Sequence, residues 1–483
     1  MQAGIVARRM YYSYGYIWRI SVRVKSALVV TLFLGLQPVF TSAQPVQGTP
    51  KTGAAVMLAP RPPMGWNSWD AYGLTITEPQ FRDNVSVLAT KLKPLGWQYA
   101  VIDEGWFLKN PLDLHKSGKI VYELDANGRY NPVPDRFPSA MVDGRNLGFK
   151  VLGEYVHAQG LKFGIHIVRG IPRESVDQNL PVAGSRFHAQ DVADKSDACP
   201  WDPTNWGVRD TPAGQAWYDS LLAQYAGWGV DYLKVDCISD HPYKPTEIRM
   251  LHRAIRKTGR SIVLSLSPGP TSPSLVAEIR PYAQMWRISD DVWDFWRNTN
   301  HWPRSVHDQF ELAAAWAPYA RPGSWPDADM LPIGYLGPEP GEGKARNSRL
   351  THDEQRTLIT LWSMMRSPLI LGANLTRLDA ATTELLTNRD VLDVDQFGHD
   401  QRQVSREGDM VVWTSAGKNG VRYLALFNLG EKESTITHAL TFYNLPAGDY
   451  AGRELWSHAD RDRMDTVKET VPAHGCILLE LRK

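Results

Sequence analysis

Between residues 59 and 395 the chain repeats one unit: an amphipathic stretch, then a glycine or loop, then a short apolar run that ends in polar residues. The apolar runs are Met64–Asn67, Tyr99–Asp103, Lys162–Val168, Tyr232–Asp236, Ser261–Ser267, Met285–Asp290, Ser324–Leu331 and Ser367–Leu371. The stretches between them have helical character: Glu78–Leu95, Asn146–Gln159, Pro212–Trp228, Thr246–Lys257, Ser274–Tyr282, Val306–Trp316 and Thr351–Met365. Thr77 with Gln80, and Thr351 with Glu354, have the spacing of capping boxes. Gly96, Gly160, Gly229 and Gly259 follow four of the helical stretches, where a left-handed stop is expected. Helix, glycine, buried strand in repetition is the pattern of a parallel α/β protein. Eight such strands favour a closed (β/α)8 TIM barrel over an open sheet.

The pattern changes at residue 396. Runs such as Met410–Thr414, Arg422–Phe427, Glu433–Thr441 and Cys476–Leu481 alternate apolar and polar residues, and turn signals at Glu407–Asp409, Lys418–Gly420 and Pro446–Gly448 separate them. Residues 396–483 therefore read as a C-terminal antiparallel β-sandwich after the catalytic barrel of 59–395. At the other end, Arg8, Arg9, Arg19, Arg23 and Lys25 precede an apolar stretch, Ala27–Leu36, too short to span a bilayer, and Thr41-Ser42-Ala43 offers a cleavage site. Residues 1–43 are read as a signal peptide and 44–58 as a linker. The expected location is secreted or periplasmic, with no membrane attachment after cleavage.

Chemistry in such a barrel sits at the C-terminal ends of the strands. Strand two ends in Asp103-Glu104, strand four in Lys234-Val-Asp236, strand six in Arg287-Ile-Ser289-Asp-Asp291, and strand seven runs on to Asp327-Ala-Asp329. Residues two apart share a face of a strand, so Lys234 and Asp236 point the same way. Arg287, Ser289 and Asp291 do so too if strand geometry persists that far. Any one of these charges suits a loop-mouth ion pair. Four strands placing them on one rim make a polar pocket, because unpaired charges are costly to bury at the end of an apolar strand.

Two carboxyl groups facing each other across a sugar-sized gap can cleave a glycosidic bond, one attacking the anomeric carbon and the other protonating the departing oxygen. Lys234 would keep Asp236 ionised. His166 stands alone on strand three, where a core or rim hydrogen-bonding role outweighs metal ligation, and it is counted with the sugar-binding set. The chain lacks a nucleophile elbow, a phosphate loop and an adequate metal-ligand cluster. Its net charge of +1 gives no reason to expect nucleic acid. Most of the 18 tryptophans read as large core residues, although aromatic faces also stack on sugar rings and composition alone does not decide.

At this point the motifs resemble glycoside hydrolase family 27, which contains α-galactosidases and α-N-acetylgalactosaminidases. The signposts are Pro62–Trp69 (PPMGWNSW), Ile102–Trp106 (IDEGW), Gly160–His166 (GLKFGIH), Tyr232–Asp236 (YLKVD), Trp286–Asp291 (WRISDD), Trp325–Leu331 (WPDADML) and Arg366–Leu369 (RSPL). His166–Arg173 and Ser265–Pro270 resemble a bacterial branch. The resemblance implies a barrel with a C-terminal sandwich and a retaining exo-hydrolase without cofactor or metal. It would remove terminal α-D-galactosyl or galactose-like residues from oligosaccharide or polysaccharide side chains.

By match of motif, Asp236 would be the nucleophile and Asp291 the acid/base, with Asp290 the competitor. Asp103 and Glu104 would hold O4 and O6, Lys234 O3 and O4, and Arg287 O2. Trp69 would pack against the sugar, and Asp329 would line the pocket near the acid/base. Nothing in the sequence bears on oligomeric state.

Three departures from the family pattern stand out. The usual Asp-Asp pair on strand two is Asp103-Glu104 here, as in members that cleave β-L-arabinopyranosides. That sugar is α-D-galactose without C6, and the longer Glu104 would enter the space of the hydroxymethyl group. Ser267 stands where some α-galactosidases place a glutamate near the 2-hydroxyl, which leaves room for an N-acetyl group. Cys237 lies one residue earlier than the family's usual cysteine, and a Cys199–Cys237 bridge between neighbouring loops is expected, as export permits. Besides β-L-arabinopyranosidase and α-N-acetylgalactosaminidase, the alternatives are a non-catalytic carbohydrate-binding protein on the same barrel and an unrelated metal-dependent barrel hydrolase.

Overall fold

The computed structural model describes residues 57–483 except 115, 117 and 118; the export segment and nearly all of the linker lie outside the described residues. Eight strands form one parallel sheet: β1 (Met64–Asn67), β2 (Tyr99–Ile102), β3 (Lys162–Val168), β4 (Tyr232–Asp236), β5 (Val263–Leu266), β6 (Met285–Arg287), β7 (Trp325–Asp327) and β8 (Leu369–Leu371). The hydrogen-bonded order is β7-β6-β5-β4-β3-β2-β1-β8. The two edges meet just beyond β7, where Leu331 bridges Leu371 in parallel and its N–H donates to the Ile370 carbonyl at 2.8 Å. The TIM-barrel reading is thus met, with the β7–β8 seam closed by a single bridge.

Alternation along the strands divides the barrel interior into two levels. Tyr99, Val101, Tyr232, Val263, Met285 and Trp325 form an apolar cluster with Ala59, whose carbonyl accepts the Trp325 indole N–H at 2.8 Å. Gly164 makes room for it: a Cβ there would lie 2.9 Å from the Val101 side chain and 3.1 Å from Tyr232. One step further along the same faces stand Asp103, His166, Lys234, Ser265 and Arg287, then Asp236 and Ser267. The period of two therefore turns an apolar floor into a polar mouth at the C-terminal rim.

Both predicted capping boxes form, and Gly96, Gly160, Gly229 and Gly259 have positive φ. The predicted helix 78–95 is regular only over Glu78–Val87 and then relaxes through a wide turn and a tight turn to Leu95. The predicted helix 274–282 shrinks to Val276–Ile279 with a preceding turn. Pro281 has no N–H with which to continue the helical hydrogen bonds. No predicted element covers residues 169–208. They form a small three-stranded antiparallel sheet (Ile171–Pro172, Ala193–Ala198 and Asn205–Val208) carried on the loop after β3.

The C-terminal module has a six-stranded antiparallel sheet and a two-stranded partner, Ser434–Ala439 with Thr466–Val471. Two of its strands, Met410–Ala416 and Arg422–Asn428, are buried along almost their whole length instead of on alternate residues. One face, with Val412, Leu424 and Leu426, meets the two-stranded sheet. The other, with Val411, Trp413 and Phe427, joins the main core, and Trp456 donates its indole N–H to Thr360 on helix His352–Met365 at 2.9 Å. A sheet covered on both faces has no polar side to alternate with.

Candidate active site

The polar mouth opens into a cavity of about 520 Å³, within the usual size of a small-molecule site. Trp69, Asp103, Glu104, Lys234, Asp236, Ser267, Asp291 and Asp329 all line it, as the sequence pattern anticipated. Two expected sugar contacts do not. His166 is fully buried with Nε2 3.5 Å from Asp236 Oδ2, so it backs the carboxylate instead of facing the cavity. Arg287 lines a separate small recess between that floor and the cavity, and its Nη2 is engaged by Asp329 Oδ2 at 2.7 Å and Asp291 Oδ1 at 3.3 Å. Its charge organises carboxylates and is not turned to the cavity.

The deep end of the cavity is a charge array. Asp103 Oδ2 accepts from Lys234 Nζ at 2.9 Å and Asn67 Nδ2 at 2.6 Å, while Oδ1 accepts the Glu104 N–H at 2.9 Å. Burial pushes this carboxyl up, but Lys234, His166 and the hydrogen bonds outweigh it and hold Asp103 well below the usual carboxylate range. Lys234 is conversely raised: burial opposes its charge, and Asp103 and Asp236 more than restore it. Asp236 follows the same logic. Burial raises it, yet His166, Lys234 and the Cys237 N–H, which donates to Oδ1 at 2.6 Å, bring it below its ordinary value. Asp236 is an ionised carboxylate held in place on the cavity wall.

Beyond β6, Asp290 and Asp291 also line the cavity. The β6 strand ends at Arg287, so strand parity does not by itself select Asp291. The loop gives the two different partners: Asp291 turns to Arg287, while Asp290 Oδ1 lies 3.5 Å from His241 Nε2. Asp329 stands below Asp291, accepting the Val292 N–H at 2.7 Å. Its φ of +88° is a costly conformation for a side-chain-bearing residue. The Asp327 carboxylate, which takes the Asp329 N–H at 3.0 Å, and the Trp362 indole, which donates to the Asp329 carbonyl at 2.9 Å, stabilise it. Burial and the neighbouring Asp291 and Asp327 raise Asp329 despite Arg287.

Sequence reasoning missed Asp70, Trp201, Asp202, His241, Trp293 and Trp302, which also line the cavity. Trp201 and Asp202 come from the 169–208 insertion, which Asn205 pins to β3 through the carbonyls of Val168 (3.0 Å) and Arg169 (3.1 Å). The available signal was the cysteine pair. The expected Cys199–Cys237 disulfide is present, with Cα atoms 5.9 Å apart, and it ties this loop to the residue after Asp236. Anything next to Cys199 therefore had to approach the site.

Glu104 and Asp202 pair there. Each has a buried carboxyl oxygen without a hydrogen-bond donor among the described residues, Oε1 of Glu104 and Oδ2 of Asp202. Asp202 Oδ1 is already fixed by the Thr204 N–H at 2.7 Å. Burial, then Asp202 both as a neighbouring charge and as a hydrogen-bond partner, then Asp236, push Glu104 well above its ordinary value. Glu104 and Asp202 thus put two neighbouring carboxyl groups on one wall of the cavity, and their mutual repulsion disfavours the charged form of Glu104.

Cutting the tether should loosen that wall. A Cys199→Ser variant opens a loop of 38 residues and is expected to lose up to about 4 kcal/mol of stability on loop-closure grounds. Its glycosidase kcat/KM should fall as well. Urea unfolding of the variant beside the parent, with and without reductant, reads the first effect; an unchanged midpoint would mean that the bridge adds no stability.

The chain is similar to known proteins over most of its length. The family profile described as "Alpha galactosidase A" matches residues 204–397, and that described as "Alpha galactosidase C-terminal beta sandwich domain" matches 407–481. The structure of a family-27 β-L-arabinopyranosidase from Geobacillus stearothermophilus superposes with a TM-score of 0.82 at 41% identity, covering 88% of this chain and 97% of that one. A variant of that enzyme has been solved in complex with arabinose. α-Galactosidase 3 of Arabidopsis thaliana is 30% identical over 430 residues, 87% of this chain and 81% of its own. α-Galactosidase I of Mortierella vinacea superposes with a TM-score of 0.69 at 26% identity, over 89% of this chain and 99% of that one.

Proposed function

The chain belongs to glycoside hydrolase family 27, and on that premise we propose that it is a retaining exo-glycosidase that takes terminal β-L-arabinopyranosides in preference to α-D-galactosides. The observation that carries the preference is the Glu104–Asp202 pair. An aspartate at 104 would be one methylene shorter and leave space for a C6 hydroxymethyl group. Glu104, braced by Asp202 and partly desolvated, fills that space. A sugar that ends at C5 fits; galactose must displace the wall. The 41% identity to a β-L-arabinopyranosidase supports the same reading.

The reaction proceeds by double displacement. Asp236, ionised through Lys234, His166 and the Cys237 N–H, attacks the anomeric carbon to form a glycosyl-enzyme. Asp291 gives its proton to the departing oxygen, then takes one from the water that hydrolyses the intermediate. Asp103 and Lys234, fixed on each other, present an acceptor and a donor to the sugar hydroxyls at the deep end. The Cys199–Cys237 bridge supports export to an oxidising compartment, in keeping with the basic and apolar N-terminal segment.

The test is a panel of 4-nitrophenyl β-L-arabinopyranoside, α-D-galactoside and α-N-acetyl-D-galactosaminide, run on the parent and on Glu104→Asp. A contact of hydroxymethyl size is worth about 1–3 kcal/mol. The parent should favour the arabinopyranoside, and the variant should move the galactoside-to-arabinopyranoside ratio of kcat/KM toward galactose by roughly ten- to a hundredfold. A parent that prefers the galactoside, or a ratio that does not move, refutes the C6 argument. Dominant turnover of the N-acetyl substrate would point instead to the space beside Ser267.

A further inference from the structure

The proposed chemistry fixes the side of the cavity on which the leaving group departs, and that side has its own architecture. Asp291 must lie next to the departing oxygen, so the aglycone leaves past Asp291. The chain after Asp291 runs out into a loop whose two ends are fastened together. Arg304 donates its N–H to the Asp291 carbonyl at 2.8 Å, Trp293 donates to the Arg304 carbonyl at 3.1 Å, and Val292 bridges Arg304. Near the returning end stands Trp302, on the cavity wall and 53% exposed. Among the described residues it is the only tryptophan that is an exposed large hydrophobic. An indole left in water contributes nothing to the core, yet this one is held two residues from the amide that anchors Asp291.

Lining the same cavity, His241 is half exposed, its ring tilted against Trp201 at 5.3 Å between centroids. Its Nδ1 meets Asp240 at 2.6 Å and its Nε2 lies 3.5 Å from Asp290. The mouth thus offers an aromatic face together with a His–Asp pair. That combination matches a pyranose, whose C–H face is apolar and whose edge carries hydroxyls.

We propose that Trp302, with His241 and Asp290, forms a subsite for the sugar to which the removed residue is attached. The enzyme then acts on a terminal sugar linked to another pyranose more efficiently than on the same sugar carrying a small alkyl group. This inference rests on the glycosidase reading with Asp291 as acid/base.

The experiment compares donors that differ only in aglycone: α-D-galactosyl fluoride against melibiose, and β-L-arabinopyranosyl fluoride against β-L-arabinopyranosyl-(1→6)-D-glucose. Fluoride occupies no aglycone site, so its turnover reports the glycone pocket and the fold. In Trp302→Ala the disaccharide-to-fluoride ratio of kcat/KM should fall about tenfold or more, mainly through KM, and Trp302→Phe should recover most of it. A ratio within about twofold of the parent, whether both activities persist or fall together, overturns the subsite. A parent inert toward both fluorides overturns the glycosidase reading itself, a separate and distinguishable failure.

Discussion

An Asp236→Ala variant is expected to lose kcat by a factor on the order of 10⁴–10⁶ on every substrate, with the fold intact. The size follows from its place. Asp236 is the carboxylate that His166, Lys234 and the Cys237 N–H jointly keep ionised at the cavity wall, and no other described carboxyl receives that set of partners. Removing it leaves the acid, the sugar contacts and the cavity standing, so the defect should be repairable from outside. Sodium azide should restore turnover of an activated aryl glycoside and give a glycosyl azide of inverted anomeric configuration, because azide then enters from the face that Asp236 occupied. Near-parental activity, or an azide product of retained configuration, would remove Asp236 from the nucleophile's position.

Asp291→Ala should behave differently from Asp236→Ala and from its own neighbour. General acid–base assistance is worth roughly 10²–10⁴. Loss of that order is expected for disaccharides, whose leaving oxygen needs a proton, and little loss in the first step for glycosyl fluorides, whose leaving group does not. Azide should again rescue, now by attacking the glycosyl-enzyme, and the product should retain configuration. Asp290→Ala is the control that the sequence could not supply. Asp290 pairs with His241 at the mouth, whereas Asp291 meets Arg287 above Asp329. Azide rescue with retained configuration in Asp290→Ala rather than in Asp291→Ala would mean that the two roles are exchanged.

Much of this site is legible in the order of residues along the chain. Lys234 and Asp236 share a strand face, and they do stand on the same wall; Asp103 ends β2 where the rim requires a polar group. Those inferences hold because they use only the period of two and the direction of a barrel strand. Asp291 stands on a weaker footing, since β6 stops at Arg287 and the residues beyond follow the loop. His166 and Arg287 show the limit of motif matching. Both are where the pattern puts them, but packing turns one behind Asp236 and engages the other with Asp329 and Asp291. Trp201 and Asp202 are signalled only by the cysteine pair, and Trp302 is out of reach, for no local pattern records where a long loop returns.

What the sequence determined alone was the alternation of helix and strand, hence the barrel, its polar rim and the carboxylates standing on it. These depend on propensity and periodicity, which act over a few neighbouring residues. The tertiary structure decided how the rim is used: that the disulfide-tethered insertion sets Asp202 beside Glu104, that Asp291 turns to Arg287 and Asp290 to His241, and that Trp302 is left exposed on the cavity wall. Those outcomes depend on which loops meet across the mouth, a matter of packing and electrostatics between segments far apart in the chain.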